Sequence, residues 1–104
     1  MEDTKKILLK MNISSNLWGY HYILASVEML RKQKIHTNII TIYDEVAKKY
    51  DKPKSSVERA IRFSIETAWE RKTILTRIYS YKPSNASFLY DIAFNENIFI
   101  KEGE

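Results

Sequence analysis

Apolar side chains recur three and four positions apart along most of this chain, and only two glycines and two prolines interrupt them. Residues at i, i+3, i+4 and i+7 share one helical face, so this spacing is the signature of amphipathic helices. Two glycines are too few for the many tight turns of a β-sandwich or barrel. The chain therefore reads as all-α. At 104 residues it makes one ordinary domain. A chain of this size buries roughly 65% of its extended surface, enough for a core without staples.

The spacing predicts about six helices around a central helix-turn-helix. Ile7, Leu8, Leu9 and Met11 form a short apolar cluster, so residues 1–12 read as an N-terminal extension or short helix. Ser14, Ser15 and Asn16 are three candidate N-caps for a second helix. Its stripe is Leu17, Tyr20, Leu24, Val27 and Leu30, with Trp18, Ala25 and Met29 beside it. Arg31-Lys32-Gln33-Lys34 closes it with cations at the negative end. Thr37 or Asn38 caps a third helix bearing Ile39, Ile42, Tyr43, Val46, Ala47 and Tyr50. Asp51-Lys52-Pro53 ends it, because proline disfavours helical backbone in the residue before it. A long fourth helix spans about 53–71, with Pro53 at its first position and a stripe of Val57, Ala60, Ile61, Ile65, Ala68 and Trp69. A short fifth helix carries Ile74, Leu75, Ile78 and Tyr79. Ser84 or Asn85 caps a sixth with Phe88, Leu89, Ile92 and Ala93. The domain proper is expected over 13–97. Ile98-Phe99-Ile100, in the 98–104 tail, fits either a docked apolar segment or a stray extended piece.

Several function classes fall away. There is no cysteine, hence no disulfide, thiol nucleophile or thiolate metal site. Two glycines exclude a Gly-rich phosphate cradle and a dinucleotide fingerprint. No apolar run exceeds four residues, so no membrane span is expected, and the first ten residues lack a signal-peptide core. The expected location is the cytoplasm. The two imidazoles, His21 and His36, lie in different segments, and His21 reads as a packed histidine beside an apolar face. Glu66 and Glu70 are one helical turn apart, which is ordinary for a surface. Most of the seven tyrosines sit on core stripes. No nucleophile–base pair is legible, so no enzyme, catalytic residue, metal or cofactor is expected.

Charge points elsewhere. Between Arg31 and Lys82 lie thirteen Lys/Arg and six Asp/Glu, a balance of +7, while the remaining residues balance at −3. A local basic excess suits a polyanion partner, although a solvated lysine surface has the same composition. Within this basic middle, two helices flank a short turn, in the layout of a helix-turn-helix. Ala47 supplies the small residue on the inner face of the first helix, and Val57 the buried aliphatic early in the second. The core stripe leaves Glu58, Arg59, Arg62, Phe63 and Glu66 pointing outward. Arg reads guanine O6 and N7, and Glu accepts from cytosine N4, so Glu58, Arg59, Arg62 and Phe63 are candidate base contacts. Ser55 and Ser56 at the helix start suit phosphates, and Lys48, Lys49, Lys52, Lys54 and Lys82 are candidate phosphate contacts. Each has a plainer reading. Glu58 and Arg62 fit an i,i+4 surface ion pair. Ser55-x-x-Glu58 fits a capping box. Phe63 fits either the stripe edge or an exposed interface, and the lysines fit plain surface.

Ser55-Ser-Val-Glu-Arg-Ala-Ile-Arg-Phe-Ser-Ile-Glu-Thr-Ala-Trp69-Glu-Arg71 closely resembles the recognition helix of the stage 0 sporulation protein A effector family, S-R-V-E-R-A-I-R-H-A-I-E-V-A-W-S-R. Gly19-Tyr20-x-Tyr22 resembles that family's G-Y-x-Y. Tyr43-Asp-Glu-Val-Ala-Lys-Lys-Tyr50 resembles Y-P-x-I-A-K-K-F. Lys82-Pro-Ser-Asn-Ala-Ser-Phe88 resembles K-P-T-N-S-E-F. Together these cover about residues 13–95. The resemblance implies sequence-specific binding of double-stranded DNA by tandem copies, contact with an RNA polymerase sigma factor, and reading of a TGTCGAA-type box by Glu58, Arg59 and Arg62. Phe63 stands where the family has His, Ser56 where it has Arg, and Asp44 where it has Pro. About six residues before Lys82-Pro83 are missing relative to the family. The family's regulator carries a receiver domain ahead of this one, so the sequence reads as an orphan effector domain or a piece of a longer protein. An orphan would act constitutively or compete with a full-length regulator. The rival reading is a protein-interaction module that binds a regulator or sigma factor without specific DNA binding.

Overall fold

The computed structural model describes residues 1–33 and 37–102. Seven helices and no strand occur among them: α1 (Glu2–Lys10), α2 (Trp18–Gln33), α3 (Ile39–Tyr50), α4 (Lys54–Glu70), α5 (Leu75–Ile78), α6 (Asn85–Phe94) and α7 (Asn97–Glu102). His36, and Lys34 of the cationic helix end, lie outside the described residues. The seventh helix answers the ambiguity at Ile98-Phe99-Ile100. That segment is helical, and Phe99 is fully buried against Phe88 and Tyr79. Ile7, Leu8 and Met11 of the N-terminal segment join the same core.

α2 is the hub, packing on α3, α4 and α6 with α1 at its side. A helix covered from several directions has no single apolar stripe. This explains why its buried set departs from the expected one. Tyr22, Ile23 and Ser26 are buried, whereas Leu17 and Trp18 are exposed. His21 is half-buried, and its Nε2–H donates to the Ser15 carbonyl at 2.7 Å. Of the three candidate caps, Ser14 bonds the side chain of Asn16, and α2 opens at Trp18 with the Tyr20 N–H donating to the Leu17 carbonyl.

α2 and α4 approach closely at Gly19. A Cβ on Gly19 would stand 2.0 Å from Ser64 Oγ and 2.7 Å from the Ala60 carbonyl oxygen. Ser64 is itself buried and donates to that same Ala60 carbonyl at 3.0 Å. Small residues on both helices thus set the crossing.

The scarcity of glycine is met in an uncommon way. Left-handed residues that end helices are usually glycine, but here they are Asn12 (φ 60°), Asp51 (φ 52°) and Lys72 (φ 54°). After each, two backbone bonds reach back into the helix. Asn12 and Ile13 donate to Leu9 and Leu8, Asp51 and Lys52 to Lys48 and Ala47, and Lys72 and Thr73 to Trp69 and Ala68. This is the Schellman pattern. Asn and Asp tolerate the left-handed region; Lys there carries the Cβ penalty.

Two cap expectations hold, and two others are corrected. Asn38 accepts from the Ile40 N–H and Ser84 from the Ser87 N–H. Pro53, expected at the first helical position, is instead the N-cap of α4, extended at ψ 145°. Its carbonyl accepts from Ser56 and Val57 at 3.0 and 3.3 Å. That places Ser55 inside the first turn, so Ser55 and Glu58 are out of register for a capping box. Arg31 and Lys32 stand in the last turn of α2 as expected, and the Arg31 side chain also donates to the Ile92 and Ala93 carbonyls at the end of α6, at 2.9 and 3.0 Å. It also pairs with Glu96 at 2.8 Å and donates to the Thr4 hydroxyl at 3.2 Å. One side chain thereby joins α1, α2, α6 and the start of α7. Burial pushes the Glu96 carboxyl up, but the Thr4 hydroxyl and the Arg31 guanidinium more than offset it and hold it below the usual range.

Three outcomes follow from this packing. Gly19→Ala destabilises by about 1–3 kcal/mol in a chemical melt, because overpacking against a backbone carbonyl outweighs the gain in helix propensity. Lys72→Gly stabilises by about 0.5–1 kcal/mol, the relief at a left-handed site less the added freedom of the unfolded chain. Glu96 has a lowered folded pKa, so its contribution is complete above the ordinary glutamate pKa. It is lost as pH falls through the folded value. Glu96→Gln therefore flattens the acid limb of stability against pH in unfolding experiments between neutrality and about pH 3.

Candidate nucleic-acid interface

α3, the turn at Asp51-Lys52-Pro53 and α4 form the expected helix-turn-helix. Ile42, Val46, Val57, Ile61 and Ile65 are fully buried between them and α2. Ala47 sits buried on the inner face of α3. With this side of α4 locked into the core, its opposite side is presented outward at a fixed orientation.

On that outward side the candidate base-contact residues lie together. Arg59 is exposed and has no ion-pair or hydrogen-bond partner among the described residues. Phe63 is 60% exposed, one helical turn further on, so the stripe-edge reading fails. Glu58 and Arg62 form the ion pair, with Arg62 Nε donating to Glu58 Oε2 at 3.0 Å and Nη2 to Oε1 at 3.4 Å. That hydrogen bond pushes the Arg62 pKa up. Of the five N–H donors on a guanidinium, both on Nη1 and one on Nη2 remain unspent.

The candidate phosphate contacts cluster at the turn, with one outlier. Ser55 and Ser56 are exposed in the first turn of α4, and Lys48 and Lys49 in the last turn of α3. Lys52, in the turn, places Nζ 5.2 Å from the Trp18 ring centroid, and Lys49 places its own 5.6 Å from that of Tyr50. Lys54 pairs with Asp44 at 3.3 Å. Lys82 lies at the other end of the face, paired with Glu66 at 3.2 Å. These pairs are nearly half exposed, and such pairs contribute about 0–1 kcal/mol. They hold the lysines near the face without consuming their charge.

Sequence reasoning missed two supports. Trp18, 54% exposed, stacks on Tyr22 at 5.6 Å and meets Tyr50 edge-on at 6.1 Å, making an aromatic floor beside the turn. Asn85, considered only as a cap, sends its side-chain amide to Tyr43 and Glu58. These partners lie 42 and 27 residues away, so no local pattern signals them. A groove of about 450 Å³ separates α4 from the 82–86 segment, lined by Tyr43, Glu58, Arg62, Lys82 and Asn85 among others. Among the described residues no three His, Asp or Glu side chains converge as a metal site, and no helix is long and apolar enough to cross a membrane.

A family model described as sporulation initiation factor Spo0A C terminal matches residues 4–95. That family is the DNA-binding effector domain of a sporulation regulator and a regulatory domain rather than an enzyme. The match spans nearly the whole chain and all of the helix-turn-helix, and this chain belongs to the Spo0A C-terminal domain family.

Proposed function

We propose that this domain regulates transcription by sequence-specific binding of double-stranded DNA, with α4 in the major groove. The observation that carries this reading is Arg59, a charged, exposed and unpartnered side chain in the first two turns of a helix whose other face is fixed in the core. The major groove admits one α-helix, and the residues near its start reach base edges. In this reading Glu58, Arg59 and Arg62 read base edges of a TGTCGAA-like box, and Phe63 packs against a thymine methyl. Lys48, Lys49, Lys52, Lys54, Ser55, Ser56 and Lys82 meet phosphates. The exposed ion pairs of Lys54 and Lys82 yield to phosphate because each is weak in water. Tandem copies on one promoter and contact with a polymerase sigma factor complete the proposal.

Fluorescence anisotropy on a duplex carrying the TGTCGAA box, against a scrambled duplex at two salt concentrations, tests it. The expected result is a preference of at least about tenfold, or 1.4 kcal/mol, with affinity falling steeply as salt rises through counterion release. Arg59→Ala costs about 1–3 kcal/mol on the preferred site and relaxes specificity at one base pair. Salt-sensitive binding without preference refutes this box, and selection from random DNA then finds whether another exists. No binding to either duplex favours the protein-interaction module instead.

A further inference from the structure

Asn85 is the first residue of α6, yet its side chain faces α4 and α3. Its Nδ2 lies 2.9 Å from Tyr43 Oη, 3.1 Å from the Glu58 carbonyl oxygen and 3.3 Å from Glu58 Oε2. A carbonyl and a carboxylate can only accept, so the side-chain nitrogen must face them. Nδ2 carries two hydrogens for these three acceptors, so one N–H is shared, and the amide reaches Glu58 at both its backbone carbonyl and its carboxylate. Glu58 in turn holds Arg62 through two N–H···O contacts. The chain Tyr43–Asn85–Glu58–Arg62 crosses from α3 through α6 to the outward face of α4 and walls one side of the groove there.

A carboxylate on an exposed helix face ordinarily samples several rotamers, and its arginine partner follows. A donor fixed on a neighbouring element restricts that freedom before any ligand arrives. Functional side chains need such support to be held near productive geometry. Asn85 is anchored by the adjacent Ser84 cap, whose Oγ accepts from the Ser87 N–H at 3.1 Å, and by the buried Phe88 and Leu89 of the same helix. Its amide is thus a rigid donor.

We infer that Asn85 is a positioning residue for base recognition: it orients Glu58, and through Glu58 the free edge of Arg62, so that the pair meets DNA preorganised. This rests on the reading that α4 enters the major groove. Asn85 itself touches no base; its effect is on discrimination rather than on general affinity for DNA.

The test measures the ratio of affinities for the wild-type protein's own selected duplex and for single-base-pair variants of it. Non-specific affinity and thermal stability are read in parallel. Asn85→Ala is expected to lower discrimination at the base pairs that respond to Glu58→Ala by roughly 5–10-fold, with non-specific affinity changed less than about twofold. In a Glu58→Ala background, Asn85→Ala is expected to add nothing. Asn85→Asp, close in size but lacking the donor, keeps the test available if the alanine variant folds poorly, and it should act in the same direction. Tyr43→Phe is the structural control. It removes the Tyr43–Asn85 bond, leaves the grip on Glu58, and should leave discrimination intact. The inference is overturned if Asn85→Ala and Glu58→Ala losses multiply independently, if specific and non-specific affinity fall together, or if Tyr43→Phe behaves like Asn85→Ala. It also falls if the Asn85 variants leave discrimination untouched while Glu58→Ala does not, and then the DNA-reading face stands without it. A wild-type protein with no base preference sinks the DNA-reading face itself, and this inference with it.

Discussion

The Ala60 carbonyl and the Ser64 hydroxyl leave room on α2 only for a residue without a side chain, and Gly19 is that residue. Much else depends on this crossing. Protein interiors are close-packed and transmit displacement rather than absorb it. A wider α2–α4 spacing would therefore tilt α4 against α3 and move its outward side chains. Ser64 takes part twice: its small size permits the approach, and its hydroxyl is satisfied by the Ala60 carbonyl of its own helix. No buried side-chain nitrogen or oxygen among the described residues lacks a partner, so the close contact leaves no unpaired polar atom behind.

The basic surplus of the chain divides into two kinds of charge. Arg31 serves the fold. It satisfies two carbonyls at the end of α6, pairs with Glu96 and bonds Thr4, in a partly buried site where such bonds are strong. The lysines around the turn are different. Their partners are exposed carboxylates or aromatic rings, and a polyanion competes with these at little cost. Counting all thirteen Lys/Arg between Arg31 and Lys82 as one footprint mixes the two classes. Burial and partner separate them.

Phe63 and Trp18 show how aromatic residues divide in the same way. Both are large and exposed, and both flank the turn–helix unit. Trp18 is nonetheless committed, since Tyr22, Tyr50 and Lys52 all pack on it. Phe63 is not, and it projects from α4 beside Arg59 and Arg62. Its 60% exposure rules out a place at the core edge.

The all-α class, the number and rough limits of the long helices, the helix-turn-helix and the outward set on α4 were legible in the sequence. Each rests on spacing along one helix, and a single helix determines its own faces. The buried face of α3 is read correctly for that reason; on α4 the stripe residues Val57, Ile61, Ile65 and Ala68 are buried, but so is Ser64, which the stripe left out. Spacing fails on α2, where neighbours on several sides bury Tyr22, Ile23 and Ser26 and leave Leu17 outside. It fails again at helix ends, where Pro53 moved by one position and removed the Ser55–Glu58 box. It says nothing of Arg31 on α6, of Gly19 against Ser64, or of Asn85 on Glu58. Those pairings join residues 27 to 62 positions apart, on different helices. Local sequence determines which side chains share a face. Which faces meet, and which polar groups are thereby bound to one another, is decided only when the helices pack.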